Sequence, residues 1–288
     1  MSVVNSALIE SNTEILESSL GLLNVLLYKT NKMDQQTLDY FPILCYVILE
    51  RPNQNLQVNE NNISSTMKRI LSDGQHYSKG FNEFDTSIGC FMNFIQKSGT
   101  EFLNGSDFFG NSYVDLLFLI IKKLGEDCLN STEDYNLCLS IRLLLCLIEN
   151  FRGEIDDLLP KILDINAELM KTERTDSLKS CLIQVVCMMF WYNPRLTHQL
   201  LQERDYLNSI LQSWFGSLDV FTNDFEKERQ LYGIAGLLSL PKNMLPKDLN
   251  MEMVAKEVFK VSNEIMEMRK NTFKLEEAEL DPSAKTSL

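Results

Sequence analysis

The chain has 288 residues, of which 44% are hydrophobic, and this composition excludes global disorder because it supplies enough apolar surface for a packed core. Its formal net charge of -13 is opposite in sign to the charge that nucleic-acid-binding proteins place against phosphate. We therefore expect no direct nucleic-acid or membrane binding, whereas an acidic surface can either attract basic proteins or merely keep a protein soluble.

Apolar residues recur at helical spacing from near the start of the chain. A leucine stripe predicts a first helix over 12–29, and Ser11 with Glu14 fits a capping box at its start. The stripe consists of Leu16, Leu20, Leu23 and Leu27. A second stripe from Leu38 to Ile48 predicts a helix that ends before Arg51-Pro52.

The segment after this helix has a different composition. Residues 51–62 are rich in Asn and Gln and have no apolar periodicity, which predicts a loop or a flexible insertion. A short helix is expected over 64–72, followed by a second loop over 73–82. We assign residues 1–111 to a first set of helical repeats that carries this insertion.

Helical periodicity then continues almost without interruption, and it predicts C-terminal HEAT-like repeats over 112–270. The predicted helix 85–97 completes the first set of repeats. Those of the C-terminal repeats are 112–124, 132–150, 155–171, 176–192, a short helix after Asn193-Pro194, 206–222, 224–240 and 250–268. Residues 271–288 are polar, and we expect a disordered tail there.

The order and spacing of the helices predict an all-α fold. No stretch of alternating polar and apolar residues indicates a strand, and Gly and Pro are scarce. Helices of about 13 to 20 residues in pairs, at a spacing of about 40 residues, are typical of HEAT or armadillo units stacked into an α-solenoid. An irregular helical bundle fits the periodicity almost as well.

The sequence predicts no catalytic, metal or cofactor site, so we do not expect an enzyme. Its histidines, His76 and His198, have no second histidine at metal-ligand spacing, and the glycine-rich nucleotide-binding motifs are absent. The seven cysteines contain no Cys-x-x-Cys pair. Five of them lie in apolar stretches, which indicates core packing and a reducing compartment. These five are Cys45, Cys138, Cys146, Cys181 and Cys187.

Acidic residues at two predicted helix starts are the candidate partner-binding residues. Negative charge is stabilised at a helix N-terminus, so a purely structural role is one interpretation. The other is a row of carboxylates that meets the Lys and Arg residues of a basic partner. The candidates are Glu154, Asp156, Asp157, Asp224, Glu226 and Glu228. Trp191, Tyr192 and Trp214 are further possible anchors, although their helical stripes favour the core.

The segment from Ser112 to Met268 resembles the C-terminal HEAT repeats of the importin-β, or karyopherin-β, superfamily, and within it the importin seven and eight group and its fungal counterparts. The order of several stretches carries the resemblance, rather than any one motif. These stretches are Thr175–Val186, Phe190–Pro194, Trp214–Phe221 and Glu228–Leu238. Residues 1–111 fit the preceding repeats only in general helical character.

The resemblance implies a nuclear import receptor that shuttles between cytoplasm and nucleus through the nuclear pore. It implies basic protein cargo and the Phe-Gly repeats of nucleoporins as partners. Receptors of this superfamily are several times longer and bind the Ran GTPase mainly through N-terminal repeats, so Ran binding is expected of a full-length receptor rather than of this chain, which would be a fragment or a truncated form. A protein-interaction scaffold with no transport role is the alternative.

Overall fold

The computed structural model describes residues 13–49, 84–107, 109–129, 134–171, 175–245 and 250–280. Across these ranges the structure is helical without any β-strand, apart from an isolated antiparallel bridge between Ser106 and Ser112. The predicted all-α fold is therefore confirmed. The predicted insertion at 51–62, the predicted helix at 64–72 and the predicted capping residue Ser11 lie outside the described residues.

The helices that were predicted within the described residues form in order, and two short helices, Gln35–Leu38 and Thr100–Asn104, were not predicted. They are α1 Thr13–Lys29, α2 Gln35–Leu38, α3 Tyr40–Ile48, α4 Phe84–Ser98, α5 Thr100–Asn104, α6 Tyr113–Leu129, α7 Tyr135–Asn150, α8 Leu159–Met170, α9 Asp176–Tyr192, α10 Pro194–Glu203, α11 Leu207–Phe215, a 3-10 turn Leu218–Val220, α12 Asp224–Leu238 and α13 Met251–Leu280.

The chain folds as two compact units, Met1–Arg152 and Gly153–Leu288. In the first unit α4 packs between α1 and α7, while α3 packs against α6. Alternate helices therefore form two layers, as stacked helical pairs do. Helices α6 and α7, which the sequence analysis grouped with the C-terminal repeats, pack within this first unit.

An aromatic cluster fills the core of the first unit. The Phe41 ring lies 4.9 Å from the Phe102 ring and 5.6 Å from the Phe91 ring, measured between centroids, and both pairs are edge-to-face. These three side chains are fully buried. Edge-to-face pairs add stabilisation beyond the apolar area that they bury, so Phe41 joins α3 to α4 and α5.

A buried carboxylate closes the loop between α5 and α6. Asp107 Oδ1 accepts the backbone N–H groups of Phe109 and Asn111, each at 2.8 Å. The Tyr46 hydroxyl donates to Asp107 Oδ2, which also accepts the Asn111 side-chain amide at 3.0 Å. Because every one of these donors points at the same carboxylate, its charge is compensated although the side chain is buried.

Helix α9 is the centre of the second unit. It contacts α8, α10, α11, the 3-10 turn and, most extensively, α12. Between Ser180 and Phe190 every side chain of α9 is buried. A helix that is apolar on all sides must be surrounded by other elements, which explains its central place.

Two glycines of α12 allow it to lie directly against the backbone of α9. A Cβ atom placed on Gly233 would be only 2.6 Å from the Cα atom of Cys187. Three residues further along both helices, Gly236 lies against the backbone of Phe190. Residue numbers increase in the same direction along both helices from the first contact to the second, so α9 and α12 are parallel.

Helix α13 covers the other side of α12. Its buried residues Val254, Val261 and Ile265 lie on one face. A 2.7 Å ion pair joins Lys227 of α12 to Glu264 of α13. The helix continues past its predicted end at Met268 to Leu280, so the predicted polar tail begins inside it, and residues 281–288 lie outside the described residues.

The predicted start of α8 and the predicted end of α11 were wrong. Helix α8 begins at Leu159 instead of 155, because Pro160 fits the first turn and the preceding residues form a hydrogen-bonded turn around Ile155. The helix predicted over 206–222 ends at Phe215, where Gly216 follows and Ser217 adopts an extended φ of -138°. The apolar stripe continues in the 3-10 turn.

We predict that Gly233→Ala destabilises the second unit. The added methyl group overlaps the Cys187 backbone, which cannot move aside as a flexible side chain would. Overpacking of this kind lowers the free energy of unfolding by about 1–3 kcal/mol. Urea denaturation followed by circular dichroism measures the change.

Gly21→Ala is the matched control, because Gly21 also lies inside a helix but has no atom within 4 Å of the added Cβ. Helix propensity should then raise the free energy of unfolding by about 0.5–1 kcal/mol. Equal effects of the two substitutions would contradict the proposed close approach of α9 and α12.

Candidate partner-binding surfaces

The first acidic group forms a turn rather than a helix start. The side chains of Glu154, Asp156 and Asp157 are exposed in the turn that precedes α8. The backbone N–H of Ile155 donates to the Tyr192 hydroxyl at 2.9 Å and ties this turn to the end of α9. The expectation that these carboxylates begin a helix was therefore wrong, although their exposure leaves them accessible to a partner.

The second acidic group lies near the start of α12, where Asp224 and Glu226 begin the helix as predicted. Glu226 Oε2 accepts the backbone N–H groups of Thr222 at 2.8 Å and Asn223 at 3.1 Å, and the Asn223 side chain completes the capping box. Asp224 and Glu226 both lie in the first turn, where the helix dipole favours negative charge.

Two carboxylates of this second group already have partners within the protein. The Gln184 side-chain amide donates to Glu226 Oε1 at 3.4 Å, and the same glutamine accepts a hydrogen bond from Arg229 at 2.9 Å. Glu228 forms an ion pair with Arg269 of α13. The first group is the better candidate for binding a basic protein, because its three side chains are exposed whereas those of the second group are only half-exposed.

The two acidic groups do not form one continuous row. Asn193, at the end of α9, donates to Asp156 at 3.4 Å, so the first group lies beside the C-terminus of α9. The parallel packing places Glu226 beside Ser180, near the other end of that helix. Thirteen residues separate Ser180 from Asn193, which corresponds to about 20 Å along an α-helix.

Three aromatic side chains lie along α9 and α12, and we define Trp191, Phe225 and Tyr232 as the aromatic patch. Phe225 precedes Tyr232 by seven residues, or about 10 Å along α12. Phe225 is 43% and Tyr232 46% exposed, and the Trp191 and Tyr232 rings lie 6.3 Å apart. Trp214 and Tyr192, the other predicted anchors, are buried. In the sequence, only the spacing of seven residues between Phe225 and Tyr232 could have indicated that these two side chains lie on the same face of a helix.

The described cysteines and histidine lack the environment of a reactive group. Burial raises the pKa of Cys90 to about 12 and raises the pKa values of Cys45 and Cys187, so these thiols stay protonated. His198 is buried at 5% exposure. Across the part of the chain that the structure describes, no group of His, Cys, Asp and Glu could hold a metal ion, while His76 lies outside it.

The chain is similar to two curated proteins that are named as importins. It is 20% identical over 237 residues to a probable importin-7 homolog of Dictyostelium discoideum, which covers 75% of this chain and 22% of that protein. It is 26% identical over 126 residues to an importin beta-like SAD2 homolog of Arabidopsis thaliana, which covers 41% of this chain and 12% of that protein. The predicted resemblance to the importin-β superfamily is confirmed.

The chain spans less than a quarter of the length of these relatives. No family model matches it, and no solved structure matches it. Of the described helices, none combines the length and the apolar character that crossing a membrane requires.

We predict that Glu226→Ala lowers the free energy of unfolding by about 1 kcal/mol, because it removes the capping-box carboxylate of α12. Thermal denaturation measures this loss. Glu252→Ala is the control, since Glu252 also lies in a first turn but makes only an exposed ion pair with Lys256. A loss as large in the control would show that the capping box does not stabilise the chain.

Proposed function

Because the chain is similar to proteins named as importins, we propose that it is part of a nuclear import receptor that binds protein partners and carries out no chemistry of its own. The similarity over 75% of the chain is the observation that carries this proposal. Layered helices with exposed aromatic and acidic side chains support it, because such layers present long surfaces to other proteins.

We propose that the aromatic patch binds Phe-Gly repeats of nucleoporins. The neighbouring rings of Trp191 on α9 and Tyr232 on α12 lie on parallel helices, so a phenylalanine ring inserted beside them would contact both helices. Aromatic side chains supply large contact areas at little cost in conformational entropy and dominate the energetics of many interfaces. Arg229, which lies 5.6 Å from the centroid of the Phe225 ring, holds that ring at the surface.

Basic cargo would bind at the exposed acidic turn before α8. Glu154, Asp156 and Asp157 place three carboxylates within four residues, and this local charge steers Lys- and Arg-rich segments toward the surface. Loading in the cytoplasm and release by Ran-GTP in the nucleus would belong to a receptor of the length of the relatives. The corresponding locations are the cytoplasm, the nucleus and the nuclear pore.

We predict that the double variant Phe225→Ser and Tyr232→Ser binds a synthetic Phe-Gly repeat peptide at least tenfold more weakly than the unchanged chain, since it removes two aromatic contacts. Fluorescence anisotropy with a labelled peptide measures the dissociation constants. The control is Phe259→Ser, because Phe259 is 73% exposed but lies on α13, outside the aromatic patch.

A control that lost as much affinity as the double variant would indicate nonspecific hydrophobic binding. No binding of the peptide by any variant, including the unchanged chain, would refute the nucleoporin proposal. It would then favour an interaction scaffold with no transport role.

For cargo, we predict that the triple variant E154Q, D156N and D157N recovers fewer basic nuclear proteins from cell extract, with the strongest difference at low salt, where exposed charges are least screened. E168Q serves as the control, because Glu168 is an exposed acid that already pairs with Lys171. Quantitative mass spectrometry at two salt concentrations compares the recovered proteins. Recovery that does not depend on salt would contradict the electrostatic proposal.

A further inference from the structure

A polar cavity of about 340 Å³ lies between the 3-10 turn, α12 and α13 in the second unit. Its volume is at the lower end of the range of small-ligand pockets, which begins at about 300 Å³. Phe221 and Val261 contribute apolar walls, while Gln230 of α12 and Glu257 of α13 contribute polar ones. Neither acidic group described above lines it.

Gln230 is the unusual residue of this cavity. Its side chain is 0% exposed, yet among the described residues neither its amide nitrogen nor its amide oxygen has a hydrogen-bond partner. A buried polar group without a partner is destabilising, and such groups are rare in folded proteins. The side chain lines the cavity, and because the terminal torsion of glutamine is broad, its rotation would turn the amide toward a ligand there.

Glu257 adds a second unused acceptor. Its Oε1 atom is buried and makes no hydrogen bond to any described residue, and the nearest cation, Lys260 Nζ, is 3.9 Å away, beyond hydrogen-bonding distance. The other charges of the wall are better matched, since Lys227 and Glu264 pair at 2.7 Å. The buried atoms of the wall that have no hydrogen-bond partner among the described residues are therefore one donor group, on Gln230, and two acceptors, on Gln230 and Glu257.

The unpartnered atoms of Gln230 and Glu257 favour a ligand that can both donate and accept hydrogen bonds. A guanidinium or ammonium group only donates, so it would leave the Gln230 amide nitrogen without an acceptor. A carboxylate or phosphate only accepts, so it could pair with Lys260 but would face Glu257 with like charge and would leave both unpartnered acceptors without a donor. A primary carboxamide has two N–H donors and a carbonyl oxygen, and it alone among these groups satisfies all the unused atoms.

We propose that this cavity recognises a carboxamide of a protein partner, with the side chain of an Asn or Gln residue as its ligand. Gln230 accepts one N–H of the ligand and donates to its carbonyl oxygen, while Glu257 accepts the other N–H. A main-chain amide has a single N–H and would leave one acceptor unused, so it should bind more weakly. The proposal does not depend on a role in nuclear transport.

The test titrates the isotope-labelled full chain with N-acetyl-glutamine methylamide and follows the Gln230 side-chain amide signals by NMR. We expect saturable shifts of these signals. N-acetyl-alanine methylamide, which offers only main-chain amides, and N-acetyl-glutamate methylamide, which offers a carboxylate, should each bind at least tenfold more weakly. Equal shifts with the alanine compound, or no shift with the glutamine compound, would overturn the proposal.

Gln230→Met separates a binding role from a structural one, because it keeps the side-chain shape and removes the unpartnered atoms. We expect this variant to lose binding and to melt at the same temperature as the unchanged chain or higher. Gln184→Met is the matched control, since Gln184 is equally buried but hydrogen-bonded to Ser180, Glu226 and Arg229. It should melt at a lower temperature and retain binding.

A melting temperature that falls as far in Gln230→Met as in Gln184→Met would show that Gln230 stabilises the fold and would overturn the proposal. Glu257→Gln, on the other helix, provides a second variant. Replacing this carboxylate removes the repulsion of an anionic ligand, so the preference for the glutamine over the glutamate compound should fall at least tenfold. An unchanged preference would exclude Glu257 from the site.

Discussion

The backbone contact between α9 and α12 is the constraint on which the rest of the second unit depends. Gly233 and Gly236 leave no side chain between the helices, so α12 lies against Cys187 and Phe190 and runs parallel to α9. This placement sets Trp191 beside Tyr232 and the start of α12 beside Gln184. It also leaves the adjacent face of α12, which includes Lys227 and Gln230, to α13 and the cavity.

The polar groups around α9 differ in whether the protein itself satisfies them. Gln184 exchanges hydrogen bonds with Ser180, Glu226 and Arg229, so this network stabilises the fold and has little left to offer a ligand. Gln230, which is just as buried, has no partner among the described residues. The carboxylates before α8 are exposed, although Asp156 accepts a hydrogen bond from Asn193 at 3.4 Å, so their binding to a basic partner depends on charge rather than on burial.

Much of the fold could be predicted from the sequence, because apolar spacing is a local property. The predicted segment 176–192 is α9 without any change of boundary, and the capping box at Asn223 and Glu226 follows from side chains three residues apart. The start of α8 was missed because Ile155 continues the apolar stripe, whereas Pro160 and the hydrogen bond from Ile155 to Tyr192 keep it outside the helix. That hydrogen bond joins residues 37 positions apart.

The sequence by itself determined the all-α class, the helical segments and the resemblance to the importin-β superfamily, because these depend on residue spacing and order along the chain. Only the tertiary structure decided which carboxylates remain exposed, which aromatic residues reach the surface and which buried amide has no partner. In the sequence, Glu226 and Glu228 cannot be distinguished from Glu154. In the structure, Glu226 is hydrogen-bonded to Gln184, 42 residues away, and Glu228 is paired with Arg269, 41 residues away. The availability of a polar group depends on neighbours brought together by packing, and no local pattern encodes them.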